Sequence, residues 1–149
     1  MVKKIFIIIV LLFAGCGTAI HTFENAQVTK RYLNTKDKKE QLLVKRFLEY
    51  WHYRANGELE KSYSYELPYQ RFLTPYKKYK GLIGGYKGSK TTLVGIKFKN
   101  DTAIITRKVR FGKKELTRYD KWIFVKDNWY HKFYQTIFPP KDIEEAKFQ

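Results

Sequence analysis

Two residues in the C-terminal third could move a proton between them. Asp120 and His131 fall in consecutive stretches of alternating polarity. Alternation groups Asp120 with Leu116, Arg118, Trp122 and Phe124, and His131 with Trp129, Phe133 and Gln135. If Trp122 pairs with His131 across a hairpin, an acid and an imidazole share one side of a sheet, as general acid–base catalysis requires. One acid and one histidine in a basic, tyrosine-rich sheet is a thin case for catalysis. The reading adopted puts both near the sheet margin, solvated or paired with Arg118 or Lys132, and expects no enzyme.

Other reactive side chains are few. His52 shares a polar helix face with Lys45 and Glu49, His21 lies close to the N-terminus, and Cys16 is the single thiol. With no paired-ligand spacing, neither a metal nor a cofactor is expected. Residues 84–91, GGYKGSKT, lack the order of a phosphate-binding loop and do not lead from a strand into a helix.

Cations are more abundant. The chain of 149 residues carries a formal charge of +16, densest at Arg107, Lys108, Arg110, Lys113, Lys114 and Arg118. Alternation splits these between two faces, so they read as a solvated sheet rim that guards against edge pairing. A groove for a polyanion, with Tyr119 and Tyr130 as stacking platforms, is the alternative use.

The N-terminus reads as an address. Lys3 and Lys4 precede an apolar run over residues 5–13, then Ala14, Gly15 and Cys16. The run is shorter than the roughly 20 residues that span a bilayer, so it reads as a cleaved export signal. Phe13-Ala14-Gly15-Cys16 resembles the lipobox of bacterial lipoproteins, with Phe13 in place of the usual leucine. That resemblance implies lipidation of Cys16 and anchoring to the cell-envelope membrane. Gly17, where an aspartate retains such proteins at the inner membrane, favours the outer membrane of a diderm organism. Removing residues 1–15 discards Lys3 and Lys4 and no acid, which takes the charge from +16 to +14. Without another cysteine, no disulfide supports the domain.

The elements that must position these residues follow in order. Residues 16–36 read as the lipidated cysteine and a flexible tether. Asp37 and Glu40 form a capping box and Gly57 a stop, with Leu43, Val44, Phe47, Leu48, Tyr50, Trp51 and Ala55 on one face of the helix between. Residues 58–66 predict a second helix ended by Pro68, and Thr74-Pro75 opens a third. From residue 91 the period changes to two. Stretches 91–98, 102–111, 115–125 and 129–138 read as four strands joined by hairpin-sized turns, with a tail over 139–149. The fold class is α+β: N-terminal helices packed on a curved antiparallel sheet of at least four strands in a meander.

Tyr50-Trp51, the Asn56-Gly57-Glu58 turn, Lys61-Ser62-Tyr63 and the hairpin from Lys121-Trp122 to Trp129-Tyr130 are similar to nuclear transport factor 2-like domains. The resemblance covers residues 37–138 and implies a cone-shaped sheet around the helices. It also implies a pocket, which Phe47, Trp51, Trp122, Phe124, Trp129 and Phe133 would line or fill. The function expected is that of a lipid-anchored, noncatalytic binding domain for an envelope protein or a small apolar ligand, with nucleic acid not expected. A polyanion binder (lipopolysaccharide, teichoic acid or anionic lipid) and a pocket enzyme of isomerase or dehydratase type are the alternatives.

Overall fold

Helix α2 (Lys38–Asn56) organises the molecule, and its ends are set by the residues that the sequence marks. The computed structural model describes residues 20–133. The stretch 1–15 read as an export signal, Cys16, the last part of the stretch 129–138 and the tail 139–149 lie outside them. Asp37 Oδ1 accepts the Glu40 amide at 2.7 Å, one of the donors that a helix start leaves without a partner. Gly57 closes the other end at φ +76°, a left-handed conformation that costs glycine little. Leu43, Val44, Phe47, Leu48, Tyr50, Trp51 and Ala55 are all buried, as their shared face requires.

That face packs on a five-stranded sheet in the order β1 (Ala26–Val28), β2 (Lys90–Lys99), β3 (Thr102–Phe111), β4 (Lys114–Val125) and β5 (Asn128–Lys132). Strands β2 to β5 form the expected antiparallel meander, with Asn100-Asp101, Gly112-Lys113 and Lys126-Asp127 as two-residue turns. Asn100, Lys126, Asp127 and Gly112 all take positive φ, the twist that tight hairpins select. An irregularity between Leu93 and Gly95 puts an extra residue into β2, which bends the strand and helps the sheet curl. Helices on a curled sheet make an α+β fold consistent with the expected cone.

The sheet is mixed, however, because β1 pairs parallel to β2. This corrects the tether expected over residues 16–36 for its described part, 20–36. Ala26, Val28 and Tyr32 are buried, Ile20 and Phe23 pack on the core, and α1 (Lys30–Leu33) follows β1. His52 is accordingly half-buried, stacked on Phe23 at 4.0 Å with Nδ1 2.8 Å from Asn25 Oδ1. A three-residue strand is too short to show a period, so only its tertiary pairing reveals it.

The middle of the chain is a chain of short helices: α3 (Leu59–Tyr63), α4 (Pro68–Leu73) and α5 (Tyr76–Leu82). Pro68 opens α4 rather than ending α3, since a missing N–H costs nothing in a first helical turn. Tyr63 Oη donates to the carbonyls of Arg71 and Thr74 at 3.0 and 2.9 Å, and so ties α3 to the turn after α4.

Candidate functional site

The inner face of the sheet carries two buried polar clusters, and each draws together residues far apart in sequence. The first centres on Glu66, which follows α3 and is fully buried. Backbone bonds from Leu67 to the His131 carbonyl and from His131 to the Tyr65 carbonyl, both 2.8 Å, dock this segment on β5. Glu66 Oε1 then accepts from Tyr50 Oη at 2.7 Å and from Tyr79 Oη at 2.8 Å, and Oε2 lies 2.7 Å from His131 Nδ1. An ionised carboxylate only accepts, so Nδ1 of His131 carries the hydrogen. Arg54 Nη1 donates to Tyr50 Oη at 2.9 Å and Nη2 to the Gly84 carbonyl at 3.3 Å. The Tyr50 ring stacks on His131 with centroids 4.3 Å apart.

The second cluster centres on Asp120. Register pairs Asp120 with Ile105 and Trp122 with both Ala103 and His131, so all of these side chains face the helix. Arg107, two residues from Ile105, faces the same way. Asp120 Oδ1 accepts from Arg107 Nε and Oδ2 from Trp51 Nε1, each at 2.6 Å. The Arg107 guanidinium lies 3.6 Å from the Trp51 ring centroid, and its Nη2 donates to Tyr86 Oη at 3.4 Å.

These positions correct three expectations. Asp120 and His131 are 0% and 2% exposed, not marginal; Asp120 accepts from Arg107 and Trp51, and His131 meets Glu66. Arg107 is 1% exposed, not a rim cation. The reason is alternation itself: Ala103, Ile105, Arg107 and Val109 share a face, and three of those four are apolar and buried. Glu66, Tyr50, Tyr79 and Arg54 are not legible as one polar cluster in the sequence because no local spacing links them. Lys108, Arg110, Lys113 and Lys114 are exposed as expected, and Glu115 bridges Lys108 at 3.0 Å and Arg110 at 3.4 Å. Lys108, Arg110 and Glu115, with Gln27, Lys90 and Thr92, line a recess of about 70 Å³ on the outer face. Exposed pairs of this kind are worth about 0–1 kcal/mol.

Phe47, Trp51, Trp122, Trp129 and Phe133 are at most 2% exposed, so they fill the interior, with Phe124 half-buried against Trp129. Each carboxylate oxygen of Glu66 and Asp120 lies within hydrogen-bond distance of a protein group. Orphan donors do occur: Arg107 Nη1, Arg54 Nε and Trp122 Nε1 find no acceptor among the described residues.

Burial, and then the charge of Glu66, pushes the hydroxyls of Tyr50 and Tyr79 well above the ordinary tyrosine range. Below about pH 10 folded and unfolded chains both keep these protons, and the stabilisation is fully present. Above it the unfolded chain releases protons that the fold retains, so stability falls as pH rises toward the folded values. Denaturation midpoints should therefore drop steeply in alkali, by up to about 1.4 kcal/mol per pH unit for each such tyrosine. The slope should be shallower in Tyr50→Phe. An unchanged slope in that variant would mean that Tyr50 ionises freely in the fold.

No family model and no curated protein matches this chain. A solved structure resembles it distantly. An NTF2-like protein of unknown function from Cytophaga hutchinsonii is similar over 71% of this chain and 95% of its own, at 12% identity and a TM-score of 0.38. The α+β assignment rests on the strands and helices themselves.

Proposed function

We propose that this is a lipid-anchored protein of the cell envelope whose domain is a noncatalytic binding module that works through its outer surface. The observation that carries the reading is that the buried carboxylates of Glu66 and Asp120 are met by protein groups among the described residues. Glu66, Asp120, His131 and Arg107 are buried against protein partners, and the aromatic residues that could line a pocket pack on one another. A general acid or base must come within hydrogen-bond reach of a substrate, and these groups are already engaged. Buried polar clusters of this kind fix one arrangement of helices on a sheet.

The anchor half of the reading rests on the sequence around Cys16. Ile20 already packs on the core, so four residue steps, at most about 14 Å, separate it from the cysteine. A lipidated Cys16 would thus hold the domain directly against the bilayer. Radiolabelled palmitate should be incorporated by the native chain and not by Cys16→Ser; equal labelling, or none in either, overturns the anchor. Affinity capture from native membranes should return a reproducible partner, and a domain that retains nothing would overturn the binding half.

A further inference from the structure

The segment from Leu67 to Lys87 presents apolar side chains and cations to solvent with no acid among them. On α4, Tyr69 is 67% exposed, Phe72 82% and Leu73 55%, and no residue of this helix is buried. Spaced at i, i+3 and i+4, these three share one face. Leu82, at the end of α5, is 51% exposed. The same segment carries Arg71, Lys77, Lys78, Lys80 and Lys87, and the sequence holds no Asp or Glu between Glu66 and Asp101. Among the described residues, none of those four lysines forms an ion pair.

We propose that α4 and α5 seat the domain on an anionic membrane surface, with Tyr69, Phe72 and Leu73 entering the headgroup boundary while the lysines of α5 meet lipid phosphates. The proposal gives the surface binding argued above its partner, and it rests on that reading. Apolar and aromatic side chains beside lysines are the chemistry of an interfacial element: the rings take up apolar area, and each lysine adds attraction to anionic lipid. A second copy of the chain is disfavoured, because two such faces would bring like charges together. Tyr63 and the bonds between Gln70 and the backbone of Phe133 fix α4 to the domain, so the face is held rather than trailing.

The full chain, with Cys16→Ser to remove lipidation, can carry a single new cysteine labelled with an environment-sensitive fluorophore, at Phe72 in one variant and Lys113 in another. Vesicles containing phosphatidylglycerol should shift the emission at position 72 to the blue and leave position 113 unchanged. Neutral phosphatidylcholine vesicles should do neither. Position 113 also reads any binding delivered by the apolar stretch 5–13, which carries no preference for α4. Reversing Lys77, Lys78 and Lys80 to Glu should weaken the response by at least about a hundredfold, since the loss of each lysine alone is worth about fivefold. No shift at position 72, equal shifts at both positions, a full response after charge reversal, or a concentration-dependent shift without vesicles would each overturn the proposal. The last would identify a second copy as the occupant. Because Cys16 is absent throughout, these outcomes are independent of the palmitate result.

Discussion

Arg107→Met should lower the stability of the domain by about 3–5 kcal/mol, because it strands the Asp120 carboxylate in the core without its cation. Asp120 is 0% exposed and Arg107 1%, and their 2.6 Å bond has Trp51 Nε1 on the other carboxylate oxygen. The companion variant Arg107→Met/Asp120→Asn removes both charges while leaving an oxygen for Trp51. It should recover most of the loss and end within about 2 kcal/mol of the native chain. Urea denaturation of the four proteins in the cycle measures the coupling directly. A loss below about 1 kcal/mol for Arg107→Met alone would mean that the pair is solvated.

What the sequence made legible was local. Asp37 with Glu40, Gly57 and the two-residue turns act within a few positions, so the helix ends and strand boundaries could be read from residue types. Period two also held the inward direction of Arg107, since its alternate neighbours Ala103, Ile105 and Val109 are apolar. Alternation splits the run of cations between two faces, but only the burial of Ala103, Ile105 and Val109 shows that the face of Arg107 is the inner one. What stayed hidden depends on distant partners. Glu66 reads as the end of a helix, yet Tyr50 lies 16 positions away and His131 65. The strand β1 is three residues that find β2 more than sixty positions later. Propensity and periodicity carry no information about such pairings. They are also what buries Asp120 against Arg107 and Trp51, and His131 against Glu66.

Glu66 offers the sharpest test of that interpretation. In Glu66→Leu the hydroxyls of Tyr50 and Tyr79 and the Nδ1 hydrogen of His131 lose their acceptor together. At about 1–3 kcal/mol for each orphaned donor, the loss should fall between about 3 and 9 kcal/mol. Much of the stability of a domain this size would go with it. Glu66→Gln should behave differently. Its carbonyl oxygen still accepts from both tyrosines, while its amide nitrogen faces His131 Nδ1 and donates to it, provided the ring moves its hydrogen to Nε2. The expected result is a loss of about 1–2 kcal/mol together with a change of His131 tautomer, visible in nitrogen chemical shifts. If the glutamine variant instead falls as far as the leucine one, the negative charge is what holds the cluster, and His131 is its cationic partner. If neither variant loses stability, Glu66 is not the hub that joins α2, α5 and β5, and the case for an interior closed to substrates falls with it.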